Sequence, residues 1–119
     1  MPYQSFEELE VWKRACRQSV CIYRLVRNSN DFGLKSQIER AGVSVPSNIA
    51  EGCERDSTND YIRFLRIAKG SNAELRTQLY LAQEIKIAEG SVIQPLVSEN
   101  KEISAMLQGL IRSLEETSN

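Results

Sequence analysis

The sequence contains no histidine, few aromatic residues and only three cysteines in 119 residues. Without histidine, neither the serines nor Cys53 have the usual general base of a nucleophilic enzyme, and a structural zinc site would need carboxylate ligands. Cys16, Cys21 and Cys53 form no C-x-x-C pair, so we expect reduced thiols packed as small apolar groups. These absences predict a protein without catalysis, a metal or a cofactor.

Long apolar runs, a basic leader and an excess of one charge are also missing. No run approaches the roughly 20 apolar residues that cross a bilayer, and the first nine residues include two glutamates and no basic residue. We therefore expect a cytoplasmic protein without a membrane partner. The six isolated glycines form no phosphate-binding loop, and the net charge of −1 lacks the basic excess of a dedicated nucleic-acid binder.

What remains is typical of helices. A composition of 41% hydrophobic and 26% charged residues is ordinary for a folded protein, and the length suits one domain over residues 1–119. Hydrophobic periodicity predicts helices at about 5–28, 33–54, 57–87 and 95–115. Their short connections favour an all-α, antiparallel up-down-up-down four-helix bundle.

Capping signals support these limits. Ser5 and Glu8 have the spacing of a capping box, and Ser57 is a predicted N-cap of the third helix. Gly90 suits the end of that helix, and Pro95 suits the first turn of the fourth.

Residues 43–52 are the most informative segment because Pro46 lies inside the predicted second helix. A proline there costs about 3 kcal/mol in a straight helix. Either the helix kinks, or two shorter helices meet. We favour the kink, since Ser44 and Ser47 offer partners to the freed backbone groups and the apolar stripe keeps its phase.

Apolar residues also indicate the core and surplus surface. The predicted core face of the first helix comprises Leu9, Trp12, Cys16, Ser19, Tyr23 and Val26. Phe32, Val43, Ala50 and Ile62 lie off the main stripes, and such surplus apolar surface favours self-association.

Basic residues gather on one face of the first helix. Lys13, Arg17, Arg24 and Arg27 fall within about 80° of one another at 100° per residue. This ladder is suited to phosphates, with Arg63, Arg66 and Lys69 as further candidates. The alternative is an ordinary solvated face with local ion pairs.

Polar residues lie on or beside the inner faces. Asn72 falls on the core face of the third helix, and Asn48 and Glu51 flank the stripe of the second. Burial without partners would cost about 1–3 kcal/mol each, so we expect pairing across the bundle, for instance between Asn48 or Glu51 and residues 70–72. Such pairing would fix the helix register or form a ligand site.

Three segments resemble a known family: FEELEVW at 6–12, RAGVSVPSNIAEG at 40–52, and FLRIAKGS at 64–71 with Glu74, Leu75 and Leu79. They are similar to the four-helix-bundle proteins encoded in intervening sequences of 23S ribosomal RNA genes. Relatives of these proteins include the accessory variability determinant of diversity-generating retroelements. The resemblance spans nearly the whole chain, although the turn at 28–32 lacks the expected Phe-Pro start.

The resemblance implies a cytosolic homopentamer and, in the retroelement relatives, binding to nucleic acid and a reverse transcriptase through a basic surface. We expect a non-catalytic homo-oligomeric scaffold; the alternative is a nucleic-acid-associated accessory protein, against which the net charge argues. Polar residues within and beside the motifs form the candidate polar seam: Arg40, Ser47, Asn48, Glu51, Ser71, Asn72 and Glu74.

Overall fold

The computed structural model describes residues 5–117. A short 3-10 helix, Phe6–Glu8, precedes four α-helices: α1 (Glu10–Val26), α2 (Phe32–Cys53), α3 (Thr58–Glu84) and α4 (Gly90–Thr117). No strand occurs in this part of the chain, so the prediction of an all-α protein with four helices is confirmed. The arrangement is compatible with a four-helix bundle. Residues 1–4 and 118–119 of the predicted domain lie outside the described residues.

The chain enters α1 through a separate turn, whereas the sequence predicted one helix from Ser5. The Ser5 hydroxyl accepts a hydrogen bond from the backbone N–H of Glu7, not from Glu8, and also contacts the Glu7 carboxylate. Leu9 is extended, with φ −72° and ψ 123°, and separates the 3-10 turn from α1. The ring of Phe6 packs edge-on against Trp12 at 5.2 Å, which holds the turn against α1.

Side-chain caps fix the starts of α2 and α3. The Asp31 carboxylate accepts from the N–H of Leu34 at 3.1 Å, and the Ser57 hydroxyl accepts from the N–H of Asp60 at 3.0 Å. The Ser57 cap is as predicted. Since α2 is one helix through the buried Pro46, the alternative of two shorter helices is wrong.

The turn between α3 and α4 differs from the prediction. Ile87 N–H donates to Ala82 O and Lys86 N–H to Gln83 O, which is a Schellman motif. Its left-handed residue is Lys86, with φ 64°, rather than a glycine. Gly90 opens α4 instead of ending α3, five residues before the predicted start.

Burial explains the early start of α4. Ile93 is fully buried in the core, which holds the first helical turn against the other helices. Pro95 therefore lies inside α4 rather than in its first turn. Because Pro95 has no backbone N–H, the carbonyl oxygen of Ser91 lacks its hydrogen-bond donor within the helix. Ser91 is exposed, so water can donate to this oxygen instead.

The four helices form an elongated molecule of 48 × 20 × 20 Å. Helix α3 packs most extensively on α2, less on α4, and α1 contacts both α2 and α4. Two apolar clusters share the interior. The first comprises Val11, Ala15, Val45, Ile49, Ile62, Leu65, Ala68, Ile103, Leu107 and Ile111. The second comprises Ile22, Val26, Ile38, Ala41, Leu75, Leu79, Ala82, Ile93 and Val97.

The core face of α1 is rotated from its predicted position. The buried residues of α1 are Val11, Ala15, Gln18, Ser19, Ile22 and Val26. Tyr23, predicted to be internal, exposes 45% of its surface. The prediction followed the large side chains, whereas the structure buries Gln18 and leaves the aromatic groups at the edge. Ile62, predicted off the stripes, is also buried.

Helices α2 and α3 approach each other closely at Gly52. A Cβ atom on Gly52 would lie 2.8 Å from Phe64 Cβ and 3.2 Å from Tyr61 Cδ1. The Phe64 ring is covered in turn by the guanidinium groups of Arg55 and Arg63, at 4.7 and 4.6 Å. The glycine in the 40–52 motif thus permits the tight contact that buries Phe64.

Candidate functional site

The predicted cationic ladder on α1 is fully displayed to solvent. Lys13, Arg17, Arg24 and Arg27 are all exposed, on the side of α1 opposite its buried residues. The nearest carboxylate partner is Glu10, 3.4 Å from Arg17, and both of these side chains are more than half exposed. An ion pair so exposed contributes little to stability. The four side chains of the ladder therefore present a positively charged face to solvent.

The predicted cations on α3 are held by specific partners. Arg63 lies 3.6 Å from Asp60 and over the Phe64 ring. Arg66 donates to Glu115 at 2.8 Å, and Lys69 donates to the amide oxygen of a glutamine on α4 at 2.6 Å.

Arg66 and Lys69 lie at a groove between α3 and α4. The groove has a volume of about 390 Å³, and its lining residues are Arg66, Lys69, Gly70, Ala73, Arg76, Ser104 and Gln108. Three of them are cations, and none carries a carboxylate. Arg76 was missed because in the sequence it stands apart from the other α3 cations, and only the groove brings them together. The small side chains in this lining leave room for an anionic group beside the cations.

The residues of the candidate polar seam lie in three separate places in the structure. The hydroxyls of Ser44 and Ser71 are 2.8 Å apart and join α2 to α3. Asn48 donates to the carbonyl and hydroxyl oxygens of Ser44 at 2.8 and 3.0 Å. The predicted link from Asn48 to residues 70–72 thus runs through Ser44. Ser47 is exposed, and Glu51 accepts from Arg55 on its own helix at 3.2 Å.

Arg40 and Glu74 from the same motifs line an open cleft between α2 and α3. Its volume is about 410 Å³, and Gln37, Ala41 and Ser44 complete the lining. A guanidinium and a carboxylate therefore face one solvent-accessible space. Both side chains are exposed, so the cleft presents opposite charges without desolvating either.

Asn72 lies elsewhere, in a buried polar layer between the two apolar clusters. Its Oδ1 accepts from Gln18 Nε2 at 3.0 Å and from Asn100 Nδ2 at 2.9 Å. Its own Nδ2 donates to the carbonyl oxygen of Asn100 at 2.9 Å. Asn100 Nδ2 also reaches Gln18 Oε1 at 3.0 Å. Asn72 thus pairs across the bundle, but its partners come from α1 and α4 and not from Asn48 or Glu51.

Sequence reasoning missed Gln18 and Asn100 as members of this layer. Each stands at a core position between apolar neighbours, Gln18 between Ala15 and Ile22, and Asn100 between Val97 and Ile103. Gln18 was missed because the wrong phase was assigned to α1, and Asn100 because its role depends on partners from the other helices. Among the described residues, the Oδ1 of Asn100 and the Oε1 of Gln78 are buried without a donor.

One charged contact crosses from α1 to α4. Arg14 donates to both carboxylate oxygens of Glu99, at 2.7 and 2.5 Å, and lies 3.3 Å from Glu102. The hydrogen bonds from Arg14 hold the pKa of Glu99 below its usual value, although partial burial opposes the shift. The same bonds raise the pKa of Arg14. Arg14 and Glu99 thus form a bidentate ion pair that joins α1 to α4.

Neither the Cys16 thiol nor the Tyr61 phenol is activated as a nucleophile. Burial raises the pKa of the Cys16 thiol, and the charge of Arg17 opposes that shift. Burial also raises the pKa of Tyr61, which is close to Cys53. Both shifts favour the neutral form, which is the less reactive one. Within residues 5–117, no group of three or more Cys, Asp or Glu side chains could hold a metal ion.

None of the helices in the described part of the chain is long and apolar enough to cross a membrane. The fold and its surfaces define a class: small four-helix proteins with an apolar interior, a buried amide layer and charged outer faces. A family model described as "23S rRNA-intervening sequence protein" matches residues 7–109. The chain therefore belongs to the 23S rRNA-intervening sequence protein family, as its motifs predicted.

A solved structure supports the fold. The chain is similar to a protein of unknown function from the S23 ribosomal protein family of Bacteroides thetaiotaomicron VPI-5482. The two share 26% sequence identity with a TM-score of 0.80, over 85% of this chain and 97% of the other. Among curated proteins, none matches the chain.

Proposed function

We propose that this protein is a non-catalytic helical scaffold of the cytoplasm that assembles with itself, as a homopentamer. The observation that carries the proposal is the apolar surface left outside the core. Large hydrophobic side chains with more than 40% exposure occur on all four helices and after α3: Val20, Tyr23, Phe32, Val43, Ile67, Tyr80, Leu81, Ile85 and Val92. Apolar surface left exposed in this way is typical of contact sites for partners.

The chemistry of the chain supports a binding role. The sequence has no histidine, and the polar groups in the interior bond to one another rather than to an open cavity. The motif residues Ser44, Asn48 and Ser71 join helices, and Gly52 permits their close approach. Such roles favour a scaffold whose motifs maintain its shape. The number five comes from the resemblance to the family.

The helix directions belong to the same proposal. We infer an antiparallel up-down-up-down bundle with α2 kinked at Pro46. Pairs that join α3 to α4 support the antiparallel order, because Arg66 meets Glu115 whereas Gln83 meets Gln94. The apolar clusters support it too, since each combines one half of α1 with the opposite half of α2.

Light scattering on a column-purified sample, over a dilution series, tests self-association. The proposal expects a mass several times that of the 13.5 kDa chain, falling only at low concentration as assembly reverses. A monomer at tens of micromolar would contradict it.

A second function is favoured by the groove between α3 and α4. Arg66, Lys69 and Arg76 line it together with small residues, which suits a phosphate backbone. In this alternative, the protein is an accessory that binds RNA or DNA, and a reverse transcriptase is a further possible partner.

Binding to a structured RNA across a salt series tests the second function. Lys69→Ala and Arg76→Ala together should weaken binding and reduce the salt slope by about two, one for each lost phosphate contact. The matched control is Lys101→Ala, an exposed cation outside the groove lining. No binding at low salt, or equal effects of both changes, would exclude the groove as the RNA site.

A further inference from the structure

The outward face of α1 is a single stripe, here called the α1 stripe, whose members are Lys13, Arg17, Val20, Arg24 and Arg27. They recur at spacings of four and three residues, which keeps them within about 80° of one another. All are exposed, Val20 over 48% of its surface. The stripe therefore has an apolar centre with two cations on either side.

Helix α2 has a stripe of the same spacing and the opposite chemistry. This α2 stripe comprises Phe32, Ser36, Glu39, Val43, Ser47, Ala50 and Glu54. Phe32 and Val43 expose 70% and 41% of their surfaces. Two members are carboxylates, none is a cation, and the rest are apolar or small. It lies opposite the buried face of Ile38, Ala41 and Val45.

We propose that the α1 stripe of one copy of this chain packs against the α2 stripe of the next copy. The proposal rests on the self-association proposed above and assigns it a surface. Both stripes point away from the core of their own chain, opposite its buried residues. An apolar centre excludes water at such a contact, and the charges around it set orientation and encounter rate.

The spacing of the charges fits an antiparallel pairing of the two stripes. Arg24 follows Val20 by four residues, and Glu39 precedes Val43 by four, about 6 Å along the axis in each case. With Val20 placed on Val43, Arg24 comes opposite Glu39. At the other end, Lys13 approaches Glu54 to within the reach of a long side chain.

The two stripes differ, so the contact is heterologous and repeats from copy to copy. Helices α1 and α2 pack on each other as neighbours. Neighbouring corners of a four-helix bundle face directions about a quarter turn apart. A contact that turns by this amount at each copy closes a ring of about four or five subunits, rather than an open filament.

Charge reversal tests the assignment. The variants are Arg24→Glu, Glu39→Arg and the double variant, with Arg112→Glu on α4 as the matched control outside both stripes. Each single reversal should raise the concentration at which the assembly dissociates about tenfold or more, because like charges then meet. The double variant should return to within about threefold of the wild type, and the control should not change. Circular dichroism verifies that each variant folds.

Cross-linking provides a second readout that does not depend on charge. With Cys21→Ser in the background, a mixture of Val20→Cys and Val43→Cys chains should form mainly the mixed disulfide between copies. Predominant Val20→Cys homodimers would indicate like-with-like contacts and overturn the proposal.

The outcomes separate this inference from the proposed function. If the protein assembles but the single reversals have no effect, or the double variant does not recover the wild-type dissociation concentration, the contact between the two stripes is contradicted. Self-association would still stand in that case. A monomeric wild type would contradict both the stripe contact and the proposed self-association. Unchanged assembly with lost RNA binding in Arg24→Glu would assign the α1 stripe to phosphates and contradict the inference.

Discussion

At Gly52 the packing of α2 on α3 leaves no room for a larger side chain. An added Cβ would meet Phe64 Cβ at 2.8 Å and the Tyr61 carbonyl oxygen at 3.2 Å. We expect Gly52→Ala to lower the free energy of unfolding by about 1–2 kcal/mol, because the overpacked helices must move apart. Urea unfolding measures the change.

Gly109→Ala is the matched control for that substitution. Gly109 is also a helical glycine, but an added Cβ there meets nothing within 4 Å. Its replacement should raise the free energy of unfolding by about 0.5–1 kcal/mol through helix propensity alone. If both substitutions changed the free energy of unfolding in the same direction, the close approach of α2 and α3 at Gly52 would be contradicted.

Glu99 makes stability depend on pH. Its pKa is lowered by the hydrogen bonds from Arg14, so its contribution is complete above the unfolded-state pKa of about 4.3 and is lost as the pH falls through the lower folded-state value. Because both side chains are partly exposed, we expect Glu99→Gln to cost only about 0.5–1 kcal/mol at pH 7.

Unfolding of wild type and Glu99→Gln at several pH values measures this effect. The difference between them should be constant above about pH 5 and shrink below about pH 4. The control is Glu116→Gln near the exposed end of α4. A difference that grows on acidification would show that the Arg14 pair does not act as described.

At the scale of elements, Lys86 is the weak point of the turn after α3. It holds a left-handed conformation, φ 64°, in a Schellman motif where glycine is the favoured residue. Lys86→Gly should therefore raise the free energy of unfolding by about 0.5–1 kcal/mol. Thermal unfolding measures it, and Lys101→Gly within α4 is the control, expected to lower stability by about 1 kcal/mol.

The buried layer of Gln18, Asn72 and Asn100 fixes how three helices meet. Asn72→Val alone should lower the free energy of unfolding by about 2–3 kcal/mol, because it leaves buried amide groups of the other two unpaired. Replacing all three, with Gln18→Leu and Asn100→Val added, should recover at least half of that loss. Urea unfolding compares the variants. A triple variant less stable than the single one would contradict the role of the layer.

The same layer should determine uniqueness of the fold. Without it, the two apolar clusters merge into one continuous core that accepts more than one helix register. We expect the triple variant to show broader amide spectra than the wild type.

The limits of the helices show what local sequence determines. Ser57 was a predicted cap because its hydroxyl reaches the third residue of its own helix, a local contact. The start of α4 was not predicted, because it depends on burying Ile93 against other helices. Lys86 takes the place of the expected glycine because the backbone hydrogen bonds of the turn outweigh its conformational cost.

For the whole molecule, the family and the four helices could be predicted, whereas the sites could be predicted only in part. The motif at 40–52 helped to identify the family, and its Gly52 lies where α2 and α3 pack closely. Arg76 and Asn100 could not be assigned, because their roles arise only where α3 meets α4. The α1 stripe follows from the periodicity of α1 once its phase is correct, and the buried position of Gln18 sets that phase.

Self-association is the property on which the proposed scaffold depends, and native mass spectrometry of the intact protein measures it most directly. A ring of five chains of 13.5 kDa predicts a single main species near ~68 kDa, which should separate into monomers and smaller rings on activation. A spectrum dominated by the 13.5 kDa monomer at tens of micromolar protein would contradict the proposal.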